Sequence, residues 1–156
     1  MPIELGNAAL PFSLPSKRGD LVDVGALFGK RPVVLLFFPL AFSSTCTAEL
    51  CHFRDDWARW SHLGCEIFGI SIDSPFVTER FRSELNIPFP VLSDFNKTVA
   101  AEWGALHEEL MGLRGVTKRA VFVVNRAGRV SYMRVQESPQ EQIDFDALLQ
   151  AVQAAQ

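Results

Sequence analysis

Apolar runs alternate with amphipathic patterns along the chain. The run at 33–38 is uninterrupted and rich in β-branched and aromatic residues, which is typical of a strand covered on both faces. Shorter runs predict further strands, and apolar residues at three- and four-residue spacings predict the helices between them. The expected strands cover 66–72, 90–93, 120–124 and 129–135, and the expected helices cover 46–62, 75–85, 97–103 and 141–153.

The order of these elements predicts the fold class. Strands and helices alternate until a Gly-containing turn at 125–128 joins the last two strands as a hairpin. Such alternation is typical of an α/β domain with parallel strands in the middle, and the late hairpin makes the sheet mixed. Residues 1–20 are expected to lie as extended structure on the core. No repeat or linker interrupts the chain, so we expect one domain spanning 1–156.

The composition excludes several classes of protein. Apolar residues make up 48% and charged residues 21%, as in globular domains rather than disordered or fibrous chains. The net charge of −3 gives no electrostatic reason to bind nucleic acid or an anionic membrane. No secretory signal pattern is visible, and the longest apolar run is too short to cross a bilayer. We therefore expect a cytoplasmic protein with neither nucleic-acid nor membrane partners.

One of the three cysteines lies where a reactive thiol is expected. An odd number of cysteines does not suit a disulfide framework. Cys46 follows the central strand and falls in the first turn of the next helix, where unpaired N–H groups and the helix dipole favour an anion. The thiolate is the nucleophilic form of cysteine. An inert core cysteine is the common alternative, but the carboxyl end of a central strand is where α/β folds place their sites.

The segment around Cys46 resembles the active-site motif of the peroxiredoxins, which are thiol peroxidases with a thioredoxin-like fold. That motif is Pro, three residues, Thr or Ser, two residues, Cys, and it is present here as Pro39, Ser43 and Cys46. The resemblance covers nearly the whole chain and includes Pro-Val-Leu-Ser-Asp at 90–94 and the apolar strand that follows Arg119. It implies a thioredoxin-like α/β fold, with a mixed central sheet flanked by helices. It also implies peroxidase activity without a metal, flavin or haem cofactor.

The resemblance also implies a role for each site residue. Cys46 would be the peroxidatic cysteine, which attacks the terminal oxygen of a hydroperoxide and becomes a sulfenic acid. Ser43 would donate a hydrogen bond to the peroxide and the thiolate, and Pro39 would shield the sulfur from water. Arg119 would stabilise the thiolate and polarise the O–O bond. Glu49, one helical turn after Cys46, would hold that arginine.

Two other basic residues near Arg119 are alternatives for the arginine's role. Arg114 and Lys118 precede it, and we expect both in a solvated loop before the strand. A buried arginine needs a charged partner, which a thiolate and Glu49 would provide together.

Cys51 stands five residues after Cys46, as in the peroxiredoxin Q or bacterioferritin comigratory group, where that cysteine resolves the sulfenic acid. The Pro-Leu-Ala-Phe loop at 39–42 instead resembles the one-cysteine alkyl hydroperoxide reductase E group. On an intact helix the two Cα atoms would lie roughly 8 to 9 Å apart, whereas a disulfide needs less than about 7 Å. If Cys51 resolves, as we expect, the first turns of the helix must unwind after oxidation. The alternative is a one-cysteine cycle resolved by an external thiol.

Other classes of function agree less well with the sequence. A thiol–disulfide oxidoreductase would use a Cys-x-x-Cys spacing rather than the one found. A zinc module built from Cys46, Cys51, His52 and Cys65 would need close spacings that converge from two segments, and no metal site is expected. Cys65 is expected to be a structural cysteine. A redox-dependent holdase or interaction role stays open as a second activity.

The resemblance implies the partners as well. These are a hydroperoxide substrate, either hydrogen peroxide or an organic hydroperoxide, and a thiol reductant such as thioredoxin. Relatives often form dimers through the surface near the active site, so a homodimer is compatible with this family. Neither the electron donor nor the preferred hydroperoxide can be predicted from the residues.

Overall fold

The computed structural model describes residues 2–17 and 20–156. Its strands are β1 (Ser13–Lys17), β2 (Asp20–Asp23), β3 (Val33–Phe37), β4 (Glu66–Ser71), β5 (Val91–Ser93), β6 (Glu109–Leu110), β7 (Leu113–Arg114), β8 (Arg119–Val124) and β9 (Val130–Gln136). Its helices are α1 (Ser44–Asp55), α2 (Trp57–Ser61), α3 (Pro75–Leu85), α4 (Thr98–Glu102) and α5 (Phe145–Ala154), with a short 3₁₀ helix at Val24–Leu27.

A mixed five-stranded sheet in the order β5-β4-β3-β8-β9 forms the centre of the fold. The strands β3, β4 and β5 run parallel to one another, whereas β8 is antiparallel to both β3 and β9. Every residue of β3 and of β8 is buried, because both faces of the sheet are covered. The expected α/β class, with parallel strands in the middle and a late hairpin, is confirmed.

Each face of the sheet has its own apolar core. The alternation of side chains along β3 sends Val34 and Leu36 towards α1, α3 and α5. It sends Leu35 and Phe37 towards the N-terminal segment, the 3₁₀ helix and α4. Each buried side chain of this size contributes roughly 1.5–3 kcal/mol of transfer free energy. The first of these cores lies directly beneath the helix that carries Cys46.

The predicted helix at 46–62 is wrong in one respect, because it is two helices. The chain leaves helical geometry at Asp56, whose φ is −116° and ψ is 28°. This turn places Trp60 in the core against Phe53, with ring centroids 4.7 Å apart. Apolar residues have helical spacing on both sides of Asp56, so their spacing in the sequence does not reveal the break. We attribute the break to tertiary packing, which can override local helix preference.

The other boundaries differ from expectation mainly at the ends of the chain. The segment expected to be merely extended forms the hairpin of β1 and β2, while Met1, Arg18 and Gly19 lie outside the described residues. The last helix begins at Phe145 rather than at 141, because the Asp144 side chain accepts a hydrogen bond from the Ala147 N–H at 3.0 Å and so caps it. The two-residue strands β6 and β7 were not expected.

The topology gathers several chain segments at one edge of the sheet. The carboxyl ends of the parallel strands β3, β4 and β5 lie there, and so does the first residue of the antiparallel β8. The loop from β3 to α1 leaves from this edge. No helix in the described parts of the chain is long and apolar enough to span a membrane.

Candidate active site

Cys46 is the third residue of α1, and its side chain is fully buried. Ser43 precedes the helix with extended backbone, and its side chain makes no capping hydrogen bond. The first N–H groups of a helix have no intrahelical acceptor, so this end of α1 presents donors beside the thiol. Helical spacing puts Cys46, Glu49, Leu50 and Phe53 on the buried side of α1.

Arg119 contacts the Cys46 sulfur from the neighbouring strand. It is the first residue of β8. Alternate residues of a strand share a face of the sheet, so Arg119 lies on the same face as Val121 and Val123, which pack towards α1. The pairing of Ala120 with Phe37 brings it to the point where the chain leaves β3 for the active-site loop. Its Nη2 donates a hydrogen bond to Cys46 Sγ at 3.2 Å.

The rest of the guanidinium group is also held in place. Arg119 Nη1 donates to Glu49 Oε1 at 2.5 Å, and both residues are almost completely buried. Its Nε and Nη2 donate to the Pro139 carbonyl oxygen at 3.2 and 2.8 Å. Because the planar guanidinium group of Arg119 is hydrogen-bonded to several fixed acceptors, it has little freedom to rotate away from the Cys46 sulfur.

The electrostatics of the pair follow from its burial. Burial raises the pKa of the Glu49 carboxyl to about 7, although the Arg119 charge and hydrogen bond act in the opposite direction. Burial also acts to lower the pKa of Arg119, but the charges of Glu49 and Cys46 outweigh it and raise that pKa. Arg119 is therefore a permanent cation beside the sulfur. Glu49 Oε2 has no hydrogen-bond partner among the described residues.

The loop before α1 carries the other two residues of the sequence motif. Pro39 is buried and follows β3 closely, whereas Ser43 is exposed. The Ser43 hydroxyl donates to the Leu40 carbonyl oxygen at 2.9 Å. The single hydroxyl hydrogen of Ser43 is therefore engaged within the loop. Between them, Phe42 has a left-handed φ of +69° and packs on Phe81, with ring centroids 5.1 Å apart.

Cys51 lies on the same helix as Cys46 but is only half-buried, and both thiols are free. The helix between them is intact from Ser44 to Asp55. The adjacent His52 stacks on Phe145 with ring centroids 3.6 Å apart, and burial lowers its pKa. Among the described residues, no three His, Cys, Asp or Glu side chains form a group that could hold a metal ion.

Comparison with known proteins identifies the family. The family model described as AhpC/TSA matches residues 5–133. The peroxiredoxin bcp of Coxiella burnetii is 34% identical over 134 residues, which cover 84% of this chain and 87% of that protein. The chain belongs to the AhpC/TSA family of peroxiredoxins. It is a thiol-dependent peroxidase.

Other relatives agree with this assignment. The chloroplastic peroxiredoxin Q of rice (Oryza sativa subsp. japonica) is 33% identical over 84% of this chain and 58% of its own length. The crystal structure of peroxidoxin BcpB from Mycobacterium tuberculosis superimposes with a TM-score of 0.84 at 30% identity, covering 99% of both chains. The thioredoxin-like peroxiredoxin fold expected from the sequence is therefore confirmed.

The remaining candidate residues of this peroxiredoxin lie away from the Cys46 sulfur. Arg114 is exposed in β7, and Lys118 Nζ pairs with Glu137 Oε1 at 2.8 Å. Arg119 is thus the basic residue that contacts Cys46. Cys65 is half-buried against the first core, and burial raises its pKa to about 11, so its thiol stays protonated at neutral pH.

Sequence reasoning missed three contributors to the site of this peroxiredoxin. Pro139 contributes through its backbone carbonyl, which has no side-chain signal. Gln142 Nε2 donates to the Thr45 carbonyl oxygen at 3.3 Å and links the first turn of α1 to the connection before α5. Asp73 Oδ2 accepts the Ala41 N–H at 2.8 Å. Only Asp73 had a usable signal, since it belongs to a polar cluster directly after a buried strand.

Proposed function

We propose that Cys46 is the peroxidatic cysteine of this enzyme. Its thiolate attacks the terminal oxygen of a hydroperoxide, an S–O bond forms as the O–O bond breaks, and the departing alkoxide or hydroxide takes up a proton. The products are a Cys46 sulfenic acid and an alcohol or water. The observation that carries this proposal is the buried Cys46 Sγ with Arg119 Nη2 at 3.2 Å.

Arg119 lowers the barrier because negative charge moves from the sulfur to the leaving oxygen during the reaction. A buried cation fixed beside the reacting atoms stabilises that charge without having to reorient. Glu49 and the Pro139 carbonyl keep the guanidinium in this position. The N–H groups at the start of α1 supply further donors to the peroxide, and Pro39 shields the sulfur from water. Ser43 supplies another donor once its hydroxyl releases the Leu40 carbonyl oxygen.

We propose that Cys51 resolves the sulfenic acid. Its thiolate attacks the Cys46 sulfur, water leaves with a proton taken up from solvent, and a disulfide forms. Because both residues lie on the intact α1, the first turns of this helix must unwind before the sulfurs meet. A dithiol such as reduced thioredoxin, or two molecules of a monothiol, then reduces the disulfide by thiol–disulfide exchange, which restores both cysteines and leaves the reductant as a disulfide.

The partners follow from this chemistry. The substrates are hydrogen peroxide and organic hydroperoxides, and the reductant is thioredoxin or another thiol. We propose that the enzyme has one domain spanning 1–156 and is cytoplasmic. The odd number of cysteines, which does not suit a disulfide framework, supports a reducing compartment. We also propose a homodimer through the surface near the active site, where Phe42 of the active-site loop is exposed.

Cysteine substitutions test the assignment. Cys46→Ser is expected to abolish peroxide consumption with dithiothreitol as the reductant. Cys65→Ser is the matched control, and it is expected to keep the wild-type rate. Retained activity in Cys46→Ser would overturn the assignment of the peroxidatic cysteine. Loss of thioredoxin-dependent turnover in Cys51→Ser, with Cys46 oxidation unchanged, is expected if Cys51 resolves.

A further inference from the structure

The active-site loop at 39–42 is attached to the sheet through one carboxylate. Asp73 lies just beyond the carboxyl end of β4 and is half-buried. Its Oδ2 accepts two hydrogen bonds, from the Ala41 N–H at 2.8 Å and from the Ser71 hydroxyl at 2.7 Å. Its backbone carbonyl accepts a third, from the Ser93 hydroxyl at 2.5 Å. Both serines are buried, so the acceptor is anchored to the ends of β4 and β5.

The loop itself has few other fixed points. Its internal hydrogen bonds run from the Ser43 N–H and hydroxyl to the Leu40 carbonyl oxygen, at 3.5 and 2.9 Å. Phe42 keeps a left-handed φ of +69°, which is unfavourable for a residue with a Cβ and persists only when surrounding contacts impose it. Among the described residues, the Ala41–Asp73 hydrogen bond is the one that joins the backbone of this loop to another element.

We infer that Asp73 is a positioning residue for peroxide reduction, acting through the backbone of the active-site loop. This inference rests on the proposed role of Cys46. The loop carries Pro39 at one end and leads to Ser43 at the other. Its position therefore determines where the Pro39 ring and the Ser43 hydroxyl lie relative to the Cys46 sulfur. Among the described residues, Asp73 makes no hydrogen bond to Cys46 or Arg119. An error of about 1 Å in such an arrangement can cost up to about a hundredfold in rate.

The test compares two reactions of the same thiol. Asp73→Ala is expected to lower the rate constant for Cys46 oxidation by hydrogen peroxide about tenfold, because the loop loses its anchor. Alkylation of Cys46 by iodoacetamide, which needs no aligned peroxide, is expected to change less than about twofold. Asp73→Asn is expected to restore most of the oxidation rate, since its amide oxygen can still accept the Ala41 N–H.

A matched control and a second variant complete the experiment. Asp23→Ala removes a carboxylate that accepts a backbone N–H elsewhere, from Ala26 at 3.2 Å, and is expected to leave both reactions unchanged. If Asp73→Ala does not fold, Ser71→Ala removes the hydroxyl that orients the carboxylate, and an oxidation rate about threefold lower is expected.

An Asp73→Ala protein with the wild-type oxidation rate, or with both reactions slowed equally, would overturn the inference. So would a folded Ser71→Ala protein with the wild-type oxidation rate, wherever Asp73→Ala fails to fold. Failure of the wild-type Cys46 to react with peroxide would instead refute the proposed function.

Discussion

At the scale of single residues, the reactivity of the site depends on how one guanidinium is shared. Arg119 contacts a sulfur, a carboxylate and a carbonyl; the first two contacts are buried and the third is partly buried. Cys46 and Arg119 are 73 positions apart. The sequence motif indicates Cys46, and the wider resemblance to the peroxiredoxins indicates Arg119. The Pro139 carbonyl could not be predicted, because any residue type offers such an acceptor and only the path of the connection brings it here.

Arg119→Lys tests whether the shape of this group matters beyond its charge. Lysine keeps a positive charge, but one ammonium cannot reach the sulfur, Glu49 and the Pro139 carbonyl in the same geometry. We expect peroxide oxidation of Cys46 to slow by about a hundredfold, measured by rapid-quench mass spectrometry. Arg114→Lys, at an exposed position, is the matched control. A rate within threefold of wild type for Arg119→Lys would remove the guanidinium fork from the mechanism.

Burial of Glu49 makes the stability of the protein depend on pH in a defined direction. The pKa of this carboxyl is about 7 in the folded protein and has an ordinary value of 4.5. Between these values the folded state holds a proton that the unfolded state releases, so the free energy of unfolding falls as the pH rises. We expect Glu49→Gln to lack this part of the pH dependence in urea unfolding at pH 5, 6, 7 and 8.

The test of Glu49 compares how steeply the free energy of unfolding changes with pH in each protein, not its absolute value. Glu108→Gln alters an exposed carboxyl and should leave the pH dependence as in the wild type. If wild type and Glu49→Gln show parallel curves between pH 5 and 7, Glu49 does not carry the raised pKa.

At the scale of elements, α1 is an intact helix in the reduced protein, but its first turns must unwind for the proposed Cys46–Cys51 disulfide to form. It begins after the active-site loop, buries Leu50 and Phe53, and ends at Asp55. The limits of α3 could be predicted closely from sequence, since Ser74 caps it, Pro75 occupies its first turn and Asn86 ends it with a left-handed φ of 54°. No comparable stop signal marks the break between α1 and α2, so spacing alone predicted one longer helix.

Hydrogen exchange tests the opening of α1. In the reduced protein the backbone N–H groups at 48–51 are expected to be protected by helical hydrogen bonds. After one equivalent of hydrogen peroxide we expect these amides to exchange rapidly, because a Cys46–Cys51 disulfide is incompatible with the intact helix. Cys51→Ser is the control, since its Cys46 sulfenic acid leaves α1 folded. Unchanged protection in disulfide-bonded wild type would contradict the proposed resolving step.

At the scale of the whole molecule, the site is an outcome of sheet topology. Three parallel strands end at one edge, and the antiparallel β8 starts there. This topology brings Arg119 to Cys46 and brings Asp73 to the active-site loop, although these residues are far apart in the sequence. The alternation of apolar runs could predict the mixed α/β sheet, because buried central strands have a strong signature. The N-terminal hairpin and the connection at 137–144 could not be predicted, since neither has a periodic apolar pattern.

The most direct measurement of the central claim locates the first oxidation event. The reduced protein is treated with one equivalent of hydrogen peroxide, quenched within seconds, and mapped by peptide mass spectrometry with a sulfenic-acid trap. We predict modification at Cys46, as a trapped sulfenic acid at the earliest times and as a Cys46–Cys51 disulfide later. Oxidation that begins at Cys51 or Cys65 while Cys46 stays reduced would contradict the account.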